Sequence, residues 1–471
     1  MLDIRIDGLS ADLTPGTTLV LERFNPLFDF DQVRGSLVYG FELPITPTNR
    51  RLLGFFDHNQ APKVNREFRC EKYVHGQLLE QGVVTIREEK TDSVSLFFTQ
   101  NLNEIFGDYQ QLPLSQIDFG TVPASTITAT ANVATAAVAY PVVENTGFYA
   151  NQNVPDFAGR MNHYENGGYR LPARVPMPFL CWVMRRYGQL TGWQFVGNFM
   201  DDLYVQHLLL YNTYSLDGAN QIRYQNHLPD LTMPQLVIAL RQLFNLYITF
   251  DYDRRICQLD FGNDVLAGSE VVDWTNQASL KHTKTPVLDN RLELSFELDG
   301  NDALLKPIPP LLDKYVTAET VLTEGGTLRV IRSRLSSLLT NPATGRAMTS
   351  QPGVSIYNKD STNKPTPRLL FWNNPVDGEP RATMTGTNGN RRLSWQGLTG
   401  LANQDYGRFE AMLAETFVLK KTVFLTPLNL ATFSFKRKVH IKGVNYWVRS
   451  IKAQLGGTAK LIQCEVELWR A

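Results

Sequence analysis

Short runs of β-branched and aromatic residues, separated by turn residues and not by a helical stretch, fill roughly the first 120 positions of the chain. The clearest runs are residues 19–21, 37–43, 83–87 and 94–98. Turn-forming residues such as Pro15-Gly16 and Asp92-Ser93 bound them, as is typical of strands. Strands that follow each other without a helix between them pair antiparallel, because a parallel pair needs a long crossover connection. This segment therefore predicts an antiparallel sheet or barrel and excludes βαβ units.

Two helix-then-strand units in the middle of the chain supply the predicted α component. Each helix opens with a proline in its first turn, Pro178 or Pro234, a position where proline is favoured. Apolar residues recur every three or four positions and predict one buried face per helix. These faces contain Leu180, Val183, Met184 and Tyr187 in the first helix, and Leu236, Leu240, Leu243 and Phe244 in the second. The repeated order indicates an internal duplication; two ordinary amphipathic helices packed on a sheet are the alternative.

Two segments have the composition of arms or insertions. Twelve of the nineteen residues at 121–139 are Ala or Thr, and no charge occurs between Asp118 and Glu144. We expect a flexible linker there, or an extended arm that becomes ordered on a neighbouring chain. Residues 340–407 are dominated by Asn, Thr, Gly and Pro and are too long for an ordinary loop, which predicts an ordered arm or insertion.

These observations divide the chain into six consecutive segments. The predicted segments are an N-terminal β domain (1–120), an Ala/Thr-rich linker and extended arm (121–177), a duplicated helix–strand α/β module (178–265), a β domain (266–339), a loop-rich arm or insertion (340–407), and a C-terminal helix with β-strands (408–471). The sequence is thus expected to fold into several α+β modules, mainly antiparallel β.

Charge and cysteine content limit the class of protein. The 46 basic and 46 acidic residues give a formal net charge of zero, so the chain lacks the long-range attraction of non-specific nucleic-acid binders, and self-association costs little. The four cysteines form no CxxC pair, which predicts buried free thiols in a reducing compartment. Residues 1–13 lack a signal-peptide pattern, and no apolar run approaches the ~20 residues of a membrane span. We expect synthesis in a bacterial cytoplasm, no stable membrane insertion and no specific nucleic-acid binding.

Catalytic motifs are missing from the sequence. It contains no P-loop, GxGxxG after a strand, GxSxG, HExxH or EF-hand pattern, and its seven histidines are scattered. The carboxylate doublets Glu88-Glu89 and Asp201-Asp202 do not form facing pairs, because adjacent residues of a strand point to opposite faces. We therefore predict no catalytic, cofactor-binding or metal-binding residues and no enzymatic activity, although carboxylates distant in sequence can still meet in space.

Seven residues are candidates for contacts with another molecule. Lys436, Arg437 and Lys438 concentrate positive charge and can bind phosphate or an acidic partner; the favoured alternative is the solvated face of a strand whose inner face contains Val439 and Ile441. The aromatic candidates from the loop-rich region are Phe371, Trp372, Trp395 and Tyr406. Such residues anchor protein interfaces or stack on sugars.

Several segments together resemble bacteriophage proteins. They are Phe24-Asn-Pro26, residues 41–49, residues 52–55, the two helix–strand units, and residues 438–451 before a final strand. This pattern resembles tail-tip or baseplate hub proteins, especially prophage-type tail proteins of Bacteroidetes, and is similar to hubs of contractile injection systems. The resemblance implies tube-like β-barrel domains with inserted α/β modules, and a ring of three copies in contact with the tail tube and the distal spike or fibre. The segments 121–139 and 340–407 depart from the simplest hubs.

The expected function is therefore structural. The chain is expected to act in the virion as a homotrimeric hub that joins tail tube to spike or fibres and lines a central channel. A carbohydrate-binding tail adhesin is the alternative, and a tail-associated cell-wall hydrolase is a third possibility, although no stretch matches the lysozyme domain of some hub-associated chains. Arms packed on neighbours favour the hub, whereas arms that extend outward favour the adhesin.

Overall fold

A computed structural model describes residues 2–32, 37–38, 40–58, 60, 67–99, 106–124, 127–150, 152–252, 254–358, 365–456 and 460–471. Strand accounts for 39% of the structure and helix for 19%, and most strand pairs are antiparallel. The predicted fold class, α+β with mainly antiparallel β, is confirmed.

The chain forms two compact units, and each is discontinuous in sequence. The first unit contains Met1–Leu102, Gly268–Leu288 and Glu415–Ala471, and the second contains Asn103–Ala267 and Asp289–Ala414. This division corrects the six consecutive segments. The predicted β domain 266–339 is split, because the strand Ala278–Pro286 pairs with residues 417–425 whereas Arg291–Phe296 pairs with Leu328–Ser333. Pairing between distant segments leaves no trace in local composition.

The N-terminal sheet of the first unit is antiparallel throughout. Its strands lie in the spatial order Leu9–Ser10, Leu2–Ile6, Phe68–Val74, Gln77–Glu89, Ser93–Thr99 and Phe41–Pro44. Alternation decides which face is buried, since Leu2, Ile4 and Ile6 are buried and the residues between them are half-exposed. The predicted runs at 83–87 and 94–98 lie in neighbouring strands joined by a tight turn, as expected.

The second sheet of the first unit, here called the C-terminal sheet, combines segments from three parts of the chain. Its strands lie in the order Val271–Asp273, Lys438–Ile441, Val444–Leu455, Ile462–Arg470, Phe417–Leu425 and Ala278–Pro286; Leu19–Phe24 also pairs with Val444–Leu455, and Leu37–Val38 follows it. The helices of this unit are Pro47–Leu52 and Pro427–Ala431, with a 3₁₀ turn at Pro26–Phe28.

The C-terminal sheet curls strongly. Only residues 274–277 connect Asp273, in one end strand, to Ala278, in the other. Five consecutive Cα–Cα distances, from Asp273 to Ala278, span at most about 18 Å. In a flat sheet of these six strands, the two end strands would be about 24 Å apart. The sheet therefore bends around an apolar interior, where Trp274 is buried with its ring centroid 5.2 Å from that of Phe433. The result is a partly closed barrel, since no pairing joins the two end strands among the described residues.

The second unit is built from small sheets and short helices. Its paired strands are Thr121–Pro123 with Gln221–Arg223; Val138–Ala139 with Met177–Pro178; Arg160–Met161, Val143–Glu144, Ala347–Met348 and Leu339–Thr340; Tyr164–Glu165 with Gly168–Tyr169; Gln194–Val196, Ile256–Phe261 and Leu246–Asp251; Leu208–Tyr211, Arg368–Val376, Ser336–Ser337 and Glu379–Thr383; and Tyr315–Val316, Arg291–Phe296 and Leu328–Ser333. Its helices are Leu180–Thr191, Asn198–Asp201, Leu203–Gln206, Met233–Phe244, Gly262–Ala267 and Gly407–Glu415, preceded by the π-helical turn Ala402–Tyr406. Its 3₁₀ turns are Gly107–Tyr109, Leu114–Gln116, Tyr224–His227, Ala303–Leu305 and Pro310–Leu312.

Both predicted helix–strand units are present in the second unit. The helix Met233–Phe244 begins with a capping box between Thr232 and Gln235, and ends at Asn245, whose φ of 50° is left-handed. The strands that follow the two helices flank the same central strand, Ile256–Phe261. One of them is parallel to it and the other antiparallel. The two units therefore share one small sheet.

The segments predicted as arms lie on their own chain. Thr121–Pro123 pairs with Gln221–Arg223, and Ala131, Val133 and Ala136 pack against the core of the second unit. Residues 340–407 supply the long strand Arg368–Val376 and several buried side chains. These contacts differ from the extended arm predicted within 121–177, whereas for 340–407 they agree with the alternative of an insertion. The predictions for 125–126, 151 and 359–364 lie outside the described residues.

Candidate functional site

The four aromatic candidates lie in the core of the second unit. Phe371, Trp372, Trp395 and Tyr406 are at most 1% exposed. The Trp395 ring stacks on Phe296 with centroids 4.8 Å apart, and the Tyr406 hydroxyl donates to the Gln242 carbonyl oxygen at 2.6 Å. Their prediction as interface residues is wrong for this fold, because side chains enclosed by their own chain offer no contact surface. The polar composition around them concealed strands that pair across the core.

The three basic candidates lie in the first unit, at the start of the strand Lys438–Ile441. Arg437 is exposed and its Nε donates to Glu270 Oε2 at 2.7 Å, while Lys438 Nζ lies 5.2 Å from the ring centroid of Trp447. Val439 and Ile441, which follow them in the same strand, are buried. This arrangement is the solvated strand face that the sequence favoured as the alternative. A role of Lys436, Arg437 and Lys438 in partner contacts stays a prediction.

Four exposed apolar residues, which the sequence did not indicate, lie close together in the sequence of the second unit. They are Val321, Leu322, Leu328 and Val330, with exposed fractions of 92%, 63%, 38% and 60%. The first two lie on the loop that precedes the strand Leu328–Ser333, and the other two lie on that strand. Side chains alternate along the strand, so Ile331 points into the core while Leu328 and Val330 point out. We call these four residues the apolar surface.

Ion pairs surround the apolar surface. Glu293 is the cross-strand neighbour of Val330 and pairs with Lys314 at 2.8 Å. Arg291, the neighbour of Leu328, pairs with Glu319 at 3.2 Å. An apolar centre with a polar, charge-paired rim is the usual anatomy of a protein–protein interface.

The outer face of the C-terminal sheet carries charges that pair with one another. Glu467 pairs with Arg449 from one neighbouring strand and lies 4.0 Å from Lys420 of the other. Cross-strand pairs of opposite charge stabilise a sheet modestly. A depression of about 810 Å³ crosses this face and reaches the end strand Ala278–Pro286. In that strand, residues 280–286 are all exposed.

Two depressions in the second unit, of about 720 Å³ and 360 Å³, share Tyr214, Asn226 and Val354 as lining residues. His227 lines the larger one, and burial lowers its pKa to about 3. The imidazole is therefore neutral near pH 7 and is a weak base. Its Nδ1 lies 3.3 Å from Asn212 Oδ1.

The four cysteines are buried and unpaired, as the sequence predicts. Burial raises the pKa of Cys70 and of Cys464 to about 12 and that of Cys181 to about 11, and it also raises the pKa of Cys257. These thiols stay protonated and unreactive at neutral pH. In the part of the chain that the structure describes, no three His, Cys, Asp or Glu side chains form a group able to hold a metal ion. No helix within the same residues combines the length and apolar character needed to cross a membrane.

Comparison with known proteins gives distant structural matches. No family model matches the chain, and no curated protein does. Among solved structures, the 43 kDa tail protein of prophage MuSo2 from Shewanella oneidensis is 9% identical with a TM-score of 0.39, over 99% of this chain and 97% of that one. A tail protein from Neisseria meningitidis MC58 is 10% identical (TM-score 0.40, 99% and 95% covered), and prophage tail protein gp18 from Listeria monocytogenes EGD-e is 8% identical (TM-score 0.38, 99% and 94% covered). At these values, function has to be argued from the chain itself.

Proposed function

We propose that this protein is a structural component of a bacteriophage tail, and that it forms a hub at the tail tip or baseplate. The observation that carries a structural role is the apolar surface with its rim of ion pairs on the second unit. The proposal that the assembly is a phage tail rests on the sequence segments that resemble phage hub proteins. The role is mechanical rather than catalytic.

The apolar surface favours a chain that works in contact with others. Each Val or Leu side chain that moves from water into an interface contributes on the order of 1.5 kcal/mol. Val321 is 92% exposed and Val330 is 60% exposed, so nearly all of that contribution for Val321 and more than half for Val330 is still available to a partner. The surrounding ion pairs hold the loop and strand in place before contact, which lowers the entropy lost on association.

In the proposed assembly, three copies form a ring around a central channel. Each copy would place its apolar surface against a different patch of the next copy, and such a head-to-tail contact closes when the rotation between copies is one third of a turn. The curled C-terminal sheets would contribute the rigid wall. The proposed partners are the tail tube protein on one side and the distal spike or fibre on the other.

The test is the solution mass of the full chain by light scattering after size exclusion, at low micromolar and tenfold higher concentration. We expect three times the chain mass of 53.3 kDa. Val330→Asp would place an unpaired carboxylate in the interface, which costs about 3 kcal/mol or more and weakens association over 100-fold. Leu171→Asp is the matched control, because Leu171 is 66% exposed elsewhere on the second unit. A monomer at both concentrations, or a trimer that Val330→Asp leaves intact, would contradict the proposal.

A carbohydrate-binding tail adhesin is the second candidate, and the two depressions favour it. Tyr214 lies in the wall of both depressions and is about one-third exposed, and Asn226 lines the same two depressions. An aromatic ring beside hydrogen-bonding side chains suits a sugar. Binding of the full chain on a glycan array, lost in Tyr214→Ala and kept in Leu171→Asp, would support this role. An array without signal would remove it.

A further inference from the structure

The strand Ala278–Pro286 ends the C-terminal sheet and leaves one of its edges open. It pairs with Phe417–Leu425 on one side, and no strand of the described residues pairs with the other side. The ladder is regular from His282 to Pro286, and a bulge separates this part from Ala278. An open edge presents unpaired N–H and C=O groups, which can accept an additional strand.

The side chains of this strand are accessible and positively charged. Residues 280–286 are all exposed, and the segment 278–286 contains Lys281, His282 and Lys284 but no acidic residue. Lys284 Nζ lies 3.9 Å from the ring centroid of Phe417, which belongs to the neighbouring strand of the sheet. Glu467, on the same sheet face, pairs with Arg449 and lies 4.0 Å from Lys420, and none of the ion pairs among the described residues involves Lys281 or Lys284. The positive charge of the edge is therefore available to a partner.

This charge selects against a second copy of the same strand. In an antiparallel pairing of two copies, registers centred between residues 281 and 284 bring lysine side chains opposite or diagonal to each other. Like charges in such positions destabilise a sheet, whereas opposite charges stabilise it. Lysines on an open edge thus block self-association and still permit an acidic strand to bind, which is a common basis of specificity.

We propose that the open edge of Ala278–Pro286 binds an extended acidic segment of a partner protein, which adds a strand to the C-terminal sheet. The added strand lies along residues 280–286, of which 282–286 form the regular part of the ladder. Main-chain hydrogen bonds hold the segment, its carboxylates lie beside Lys281 and Lys284, and Leu280, which is 78% exposed, gives an apolar neighbour a contact. This binding concerns the first unit and requires no ring of copies, so it stands independently of the proposed hub.

The probe is a synthetic acetylated nonapeptide, Thr-Glu-Val repeated three times, with fluorescein at its C-terminus. Its counterpart has Lys in place of Glu. Binding to the full chain is measured by fluorescence anisotropy, and the site is located by amide hydrogen exchange. We expect the acidic peptide to bind at least tenfold more tightly than the basic one, and to slow exchange at residues 280–286.

Charge reversal supplies the decisive variant. In Lys281→Glu/Lys284→Glu, we expect the preference to invert, so that the basic peptide binds more tightly. The matched control Lys306→Glu/Lys460→Glu has the same net charge but changes two exposed lysines that do not belong to the strand Ala278–Pro286, and it should keep the original preference. Thermal unfolding checks that both variants fold, as expected for substitutions of exposed side chains.

Three results would overturn the proposal. The first is equal binding of the two peptides to the wild-type chain. The second is an unchanged preference after reversal of Lys281 and Lys284. The third is protection of residues 280–286 that rises with protein concentration in the absence of peptide, because that would identify a second copy as the occupant of the edge.

Discussion

A buried ion pair in the N-terminal sheet offers the sharpest test of the energetics of this fold. Lys72 and Glu80 are cross-strand neighbours, with Nζ 3.0 Å from Oε2 and each side chain 1% exposed. Lys72 Nζ also lies 3.5 Å from the ring centroid of Phe98. Burial lowers the pKa of Lys72, and the attraction of Glu80 opposes this shift. The ammonium group therefore depends on its partner.

The perturbation is Lys72→Met, which keeps the side-chain length and removes the charge. It takes the Lys72 ammonium away from the buried Glu80 carboxylate, and breaking such a buried pair costs about 3–5 kcal/mol. The double variant Lys72→Met/Glu80→Leu removes both charges. It therefore loses the attraction between them, but it also loses the cost of burying them away from water. Replacement of a buried pair by apolar residues is often neutral or stabilising, so we expect the double variant to lie within about 1.5 kcal/mol of the wild type.

The assay is the free energy of unfolding from urea titration, for the wild type, both single variants and the double variant. Amide hydrogen exchange at residues 68–74 and 77–89 assigns the effect to the first unit. The double-mutant cycle should give a coupling energy of more than about 2 kcal/mol. A cost below about 1 kcal/mol for Lys72→Met, or a double variant as unstable as the sum of the singles, would refute the reasoning.

Three further predictions concern the second unit. Burial lowers the pKa of His227 to about 3, so below about pH 6.5 the unfolded state binds a proton that the folded state does not. The free energy of unfolding should therefore fall by about 2 kcal/mol between pH 6.5 and pH 5. Urea titrations at both pH values should show a smaller decrease for His227→Gln than for the wild type. Gly197 has φ of 113° and a Cβ there would lie 2.1 Å from the Leu259 carbonyl oxygen, so Gly197→Ala should cost more than about 2 kcal/mol in urea unfolding; an unchanged midpoint would contradict this close approach. Trp395→Ala should lower the free energy of unfolding by about 3–5 kcal/mol, because it leaves a cavity beside Phe296. If this variant instead kept the unfolding midpoint of the wild type but no longer formed a trimer, Trp395 would have the interface role first predicted for it.

Elements defined by local pattern were predictable from the sequence. The hairpin Gln77–Thr99 follows from alternating apolar residues and a polar turn, and the helix Met233–Phe244 follows from its apolar spacing and its first-turn proline. Burial of the cysteines also followed from their spacing and type. Such features depend on contacts between residues close in the chain, which leave a periodic signal.

Features that depend on distant contacts were not predictable. The loop-like composition of 340–407 suggested accessible aromatics, yet Arg368–Val376 pairs with Leu208–Tyr211 and buries Phe371 and Trp372. The apolar surface at Val321–Val330 gave no signal, because an exposed valine and a buried one look alike in a sequence. The same holds for the open edge of Ala278–Pro286, since pairing on one side or both depends on strands more than 130 residues away.

The sequence by itself determined the fold class, the two amphipathic helices, the hairpin Gln77–Thr99 and the neutral charge balance. The tertiary structure decided which strands share a sheet, which aromatics are enclosed, and which edge and apolar surface remain available for binding. The physical reason is that secondary structure arises largely from neighbours within a few residues, whereas burial and strand pairing arise from the hydrophobic effect and hydrogen bonds acting between segments far apart in the chain.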